Sequence, residues 1–191
     1  MKAIRLVSLV AVSAVAMGFA GVAAAKGPGK PGSQTIVEIA VAATNAGQFE
    51  YLVGAATCPY FGTAVTDLLS SKTYTLFAPT DAAFRKLLGV AQPAPGMEPK
   101  GEAFPCAAFE ANPQVLLGIL TYHVTEGRRF ANSVFNRNRT KMIEMLGGRY
   151  VVSNPNLTLT DNNAQTVGVV RPFNVNASNG VIHAIDTVLL P

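Results

Sequence analysis

From Thr35 the apolar residues recur first at helical spacing. Ile36, Ile39, Ala40 and Ala43 fall on one face of a helix. After a polar break at 45–47, Phe49, Leu52, Val53 and Ala56 predict a second helix, and Val65, Leu68 and Leu69 a short third. The period then changes. TYTLFAP, residues 73–79, is β-branched and aromatic and reads as a buried strand. It runs directly into a helix start. Thr80 is placed as N-cap, Asp81 suits the positive helix end, Phe84, Leu87 and Leu88 form an apolar face, and Gly89 stops the helix. Residues 91–105, AQPAPGMEPKGEAFP, read as a proline-rich loop. Asn112 is placed as the next cap, with Pro113 at the first helical position. Val115, Leu116, Ile119 and Leu120 follow on one face, running towards Tyr122 and His123.

Beyond Gly127 the pattern is that of strands. Residues 140–146 and 149–153 flank Gly147-Gly148, a hairpin signal. Residues 157–160 turn through 161–163 into 166–170, and Gly180 precedes a last strand over 181–190. Helices come first and strands second, without alternation of the two. That order predicts an α+β fold with a mainly antiparallel sheet, in one domain over 34–191.

Charge and composition change the picture at the N-terminus. Lys2 and Arg5 precede an uncharged apolar run that ends in Ala23-Ala24-Ala25. This is the pattern of a cleaved secretory signal over 1–25, with Lys26 as the first mature residue. The run holds no cysteine for a lipoprotein anchor, so a secreted or periplasmic protein is expected. Removing Lys2 and Arg5 lowers the formal net charge from +4 to +2. So mild a balance argues against a nucleic-acid partner. KGPGKPGS, residues 26–33, reads as a flexible leader. Its literal G-x-G-x-x-G has no preceding strand and is interrupted by prolines, so it is no phosphate loop.

Export reinterprets Cys58 and Cys106, the two cysteines of the chain. An oxidising compartment favours pairing them. The bridge would be worth roughly 4 kcal/mol in the chain-entropy model and would pin a loop with no other visible tether. With the cysteines paired, His123 and His183 are too few for a zinc site, and no metal or other cofactor is expected. Neither a G-x-S-x-G nor an H-E-x-x-H occurs, so no enzyme is predicted.

His183 lies in VIHAIDTVLL. There Val181, His183 and Ile185 point to one side of a strand, and Ile182, Ala184 and Asp186 to the other. A His183–Asp186 pair within the strand is therefore excluded, and a core histidine is expected. Arg128, Arg129, Arg137, Arg139, Lys141 and Arg149 crowd into one stretch with only Glu126 and Glu144 nearby. They form either a surface for anionic polysaccharide or membrane headgroups, or simply a solvated face. Asn138, Asn156 and Asn176 head N-x-S/T sequons that matter only in a glycosylating source.

Four segments together carry a family resemblance. TLFAPTDAAF (75–84), ILTYHV (119–124) and SNGVIHAIDTVLLP (178–191) resemble the first motif, the Tyr-His motif and the second motif of fasciclin-type domains. IVEIAVAATNAGQFEYLV (36–53) is similar to that family's opening helices. The chain departs from the family pattern in the proline-rich insertion with Cys106. It departs again at Arg171-Pro172-Phe173, where an edge strand is usual. The resemblance implies a wedge of sheet with helices packed around it, and a non-enzymatic adhesion module. Such a module would bind a protein, glycan, matrix or cell surface. An extracellular carrier of a small apolar ligand is the alternative. The resemblance also implies a binding role for Tyr122 and His123; the structural alternative has them fix the helix end, with Asp81 as a polar partner. Arg128, Arg129, Arg137 and Arg139 are the candidate surface cations.

Overall fold

The computed structural model describes residues 32–94, 97 and 100–191. The signal read at 1–25, and the leader through residue 31, lie outside the described residues. In chain order come α1 (Ile36–Thr44), α2 (Glu50–Ala56), α3 (Ala64–Ser71), β1 (Tyr74–Pro79), α4 (Asp81–Leu88), α5 (Pro113–Thr121) and β2 (Val124–Glu126). They are followed by α6 (Ala131–Val134), β3 (Lys141–Glu144), β4 (Tyr150–Asn154), β5 (Thr158–Thr160), β6 (Thr166–Gly168), β7 (Val175–Ala177) and β8 (Gly180–Ile185). Short 3₁₀ turns occupy Pro59–Phe61 and Cys106–Phe109.

The helices start where local chemistry says they should. Thr35 and Glu38 form a reciprocal capping box on α1. The Thr80 hydroxyl accepts from the Ala83 amide on α4, and Gly89 ends that helix with φ 67°. α2 has no cap of its own, because Phe49 sits at its N-terminus in a left-handed conformation. Asp81 supplies the missing acceptor from α4, its Oδ1 taking the Tyr51 amide at 2.9 Å. Asn112 stands at the N-cap position of α5, but its side chain makes no cap bond. Pro113 at the helix start fits as expected.

Two four-stranded sheets follow, in the orders β2-β1-β8-β7 and β3-β4-β5-β6. β1 and β8 are neighbours, and they pair in parallel from Tyr74↔Gly180 to Pro79↔Ile185. The other named pairings are antiparallel. Gly180 allows this closeness, since a Cβ there would run into the Tyr74 carbonyl.

Both faces of the first sheet are covered, and every residue of β1 and β8 is buried. Tyr74, Leu76, Ala78, Ile182 and Ala184 pack with Ile36, Leu52, Val65 and Leu116 of the helices. Phe77 and Ile185 face the other way, into a second core with Tyr122, Val134, Ile143, Val151, Leu159 and Val167. The first sheet is thus the middle layer, with helices on one side and the second sheet on the other.

β8 ends at Ile185 and does not continue to 190. Asp186 turns out to accept the Gly168 amide at 2.8 Å, which breaks the ladder. Near Arg171-Pro172, a cis peptide, the chain bends. It recovers only a short edge strand, β7.

Cys58 and Cys106 form a disulfide with Cα atoms 5.6 Å apart. The expectation that nothing else holds the proline-rich loop needs correction. The Glu50 carboxylate accepts the Gly101 and Glu102 amides. Glu102 pairs at 2.6 Å with Arg85, itself buried over the Tyr51 ring. Phe104 packs against Tyr51, Phe84 and Phe109.

Candidate functional site

Tyr122 and His123 follow α5 and are 0% and 1% exposed. His123 Nδ1–H donates to the Ile119 carbonyl at 2.7 Å, one helical turn back. Its Nε2 accepts the Leu189 amide at 2.9 Å, so both ring nitrogens are used by a neutral imidazole. Burial pushes its pKa down to about 4. Asp81 is not its partner. That carboxylate is spent on the α2 terminus, and its own burial raises its pKa.

The Tyr122 hydroxyl donates to the Tyr150 carbonyl at 2.8 Å and accepts the Asn162 amide. Asp161 Oδ1 takes the Asn163 and Gln165 amides, while Oδ2 takes that of Leu190. His123 and Asp161 therefore clip residues 189–190 to the body of the fold. His183 sits between the sheets, stacked on Phe77 with ring centres 5.7 Å apart. It makes two hydrogen bonds: Nε2–H donates to the Arg129 carbonyl at 2.8 Å, and Nδ1 accepts the Asn174 amide. Its burial also lowers its pKa.

The six cations separate into two groups. The Arg128 guanidinium points back into the fold, donating to Asn176 Oδ1 and to the carbonyls of Ala177, Ser178 and Gly180. It clamps the β7–β8 turn. Arg129 donates from Nε to the Glu126 carbonyl, and its amide donates to Thr75. Lys141 bonds the Ser133 carbonyl. Arg137, Arg139 and Arg149 are exposed. Of these candidates, Tyr122 and His123 are buried and bonded within the fold, in line with the structural alternative, and the Arg128 guanidinium is engaged by the β7–β8 turn.

Among the described residues, two open surfaces bear on function. α1, α2 and α3 meet the first sheet around a half-open apolar groove of about 60 Å³, lined by residues including Ile36, Ala40, Leu52, Val65, Leu69 and Leu120. The other is the outward face of the second sheet. β3 and β4 alternate there, with Ile143 and Val151 inside. Met142 and Tyr150 face out, 68% and 48% exposed. They border a shallow depression of about 460 Å³ with Arg149, Val152, Thr160 and Asn162. Sequence reasoning did not single out this face, although the period of two around the hairpin marks its outward positions.

The family model for the fasciclin domain matches residues 61–191. The immunogenic protein MPB70 of Mycobacterium bovis is 32% identical over 127 residues, which is 66% of this chain and 54% of that protein. The cell surface glycolipoprotein MPB83 of the same species is also 32% identical over 127 residues, 66% of this chain and 48% of its own length. The transforming growth factor-beta-induced protein ig-h3 of Sus scrofa is 32% identical over 118 residues, 62% of this chain and 14% of that protein. The chain thus spans about half the length of the mycobacterial relatives. Among solved structures, a domain pair of the insect cell adhesion molecule fasciclin I superposes with TM-score 0.50 at 17% identity, covering 73% of this chain and 45% of that one.

Proposed function

Starting from a chain that belongs to the fasciclin domain family, we propose that it works as an exported, non-enzymatic interaction module. Its target is a cell surface, a matrix, a glycan or a partner protein. The observation that carries this reading is where the polar chemistry is spent. Both nitrogens of His123 and of His183 are bound within the fold, and the Asp161 and Asp81 carboxylates hold backbone amides. The sheet face with Met142 and Tyr150 stays open. Relatives described as a cell surface glycolipoprotein and as part of a cell adhesion molecule support the same class. Among the described residues no helix is long and apolar enough to cross a membrane. The test is retention of the exported protein, with Lys26 at its N-terminus, on envelopes of its source. Saturable retention supports the reading; retention no greater than that of heat-unfolded protein contradicts it.

A second reading rests on the groove between α1, α2 and α3, which is lined only by apolar side chains and threonines. At about 60 Å³ the groove is well below the roughly 300–1,000 Å³ of ordinary ligand sites, so a small apolar ligand would have to part the helices to enter. Solvent extraction of protein purified from its source distinguishes the two readings: a carrier yields a stoichiometric apolar molecule, and an interaction module yields none.

A further inference from the structure

We infer that the outer face of the β3–β4 hairpin binds a linear acidic polysaccharide. The inference rests on the interaction-module reading and adds a place and a ligand class to it. Met142 pairs with Val152 and Glu144 with Tyr150 across the two strands. Met142, Val152 and Tyr150 therefore share one face, opposite Ile143 and Val151. Tyr150 is half exposed on a rigid strand, and its ring is a flat apolar platform at low entropic cost. The C–H face of a sugar packs on such a ring. Thr160 and Asn162 line the same depression with a hydroxyl and an amide for sugar hydroxyls.

The cations set the sign of the ligand. Arg149 adjoins Tyr150 and lines the depression. Arg137 and Arg139 lie in the turn before β3, at the other end of the hairpin. Among the described residues none of the three has a salt-bridge partner. A guanidinium takes a carboxylate or sulfate through two parallel hydrogen bonds. The span from Arg139 to Arg149 is roughly 20 Å at the rise of a strand. That length suits several sugar units better than a single anion. Asp161 also lines the depression; the Asn163, Gln165 and Leu190 amides hold its oxygens inside the fold, which keeps them from direct contact with a ligand but leaves their negative charge. Glu144 is exposed beside Tyr150 and opposes such a ligand.

The experiment is calorimetric titration of the full exported protein with alginate fragments and with heparin fragments. Neutral dextran and vesicles containing phosphatidylglycerol serve as separate arms. The expected result is saturable, salt-sensitive binding to at least one acidic polysaccharide and none to dextran. Arg149→Gln and Tyr150→Ala should each weaken it about tenfold, and Glu144→Gln should strengthen it two- to threefold. Lys72→Ala, which removes a cation paired with Glu126, should change nothing. Unaltered melting temperatures show that the variants fold. The inference is overturned if neither polysaccharide binds, if Lys72→Ala weakens binding as much as Arg149→Gln, or if the vesicles bind equally well through the same residues. Envelope retention of the same variants separates the two levels. Wild-type retention that survives both substitutions sinks this site and leaves the module reading standing; loss of wild-type retention sinks both.

Discussion

The two sheets are built from similar amounts of strand but stand in different surroundings. The first is covered on both faces, by helices and by the second sheet, and its central strands carry no exposed residue. The second is covered on one face only. Its strands alternate between buried and accessible positions. A strand buried on both sides has every side chain fixed by packing. A strand buried on one side has its alternate residues free for another use. The scaffold and the candidate binding face therefore occupy different sheets of one small domain.

The largest expected effect comes from the layer between the sheets. Phe77 is fully buried there against His183. Phe77→Ala should cost about 4 kcal/mol in urea unfolding, the usual loss for an aromatic truncated in a core. A loss below about 1 kcal/mol would mean that the two sheets are not packed through this ring.

Next in size is the disulfide. Replacing Cys58 and Cys106 together by alanine should cost up to about 4 kcal/mol, the chain-entropy value. Glu50, Arg85 and Phe104 should still hold the loop, so protease resistance near residues 100–105 should persist in the variant. Prompt cleavage there would show that the bridge alone orders the segment.

Acid should act at about the same scale. His123 is neutral when folded and accepts a proton only at about pH 4, whereas the unfolded chain does so near the ordinary histidine value of about 6.5. Its contribution is present above about pH 6.5 and is lost as pH falls through about 4, for about 3 kcal/mol in all. His183 acts in the same direction. Asp81 acts in the opposite one, because burial raises its carboxyl and acid relieves that cost. Urea melts between pH 7.5 and 4.5 should show a net decline, reduced in His123→Gln. A flat profile would count against the buried neutral imidazole.

The smallest effects belong to the open face. Met142→Ala and Tyr150→Ala should each change stability by less than about 0.5 kcal/mol. Tyr150 holds Tyr122 through its backbone carbonyl, which the substitution retains. Larger losses would place these side chains in the scaffold.

The local features were legible in the chain. The Thr80 cap, the Gly89 stop, the hairpin at Gly147-Gly148 and the two faces of VIHAI need only nearest neighbours. The cysteine pairing followed from composition and from the export that the N-terminal pattern predicts, and the four family segments carried the overall fold. What escaped were contacts between distant parts of the chain. No local signal says that β1 and β8 pair in parallel, or that Asp81 caps a different helix. Nothing near Arg128 shows that its guanidinium clamps the β7–β8 turn. For the same reason the six cations that form one cluster in sequence divide into three bonded to backbone carbonyls and three that stay exposed. The last strand was read too long because Asp186 leaves it through a bond to Gly168, whose position sequence periodicity does not give.

Hydrogen–deuterium exchange on the chain from Lys26 onward, with and without the acidic polysaccharide, tests the division between scaffold and binding face most directly. In the free protein, Tyr74–Pro79 and Gly180–Ile185 should be the slowest segments, and the ligand should leave them unchanged. It should slow exchange at residues 142–144 and 149–152. Slowing at α1 and α3 in place of the hairpin, or faster exchange in β1 and β8 than in β3 and β4 of the free protein, would contradict the account.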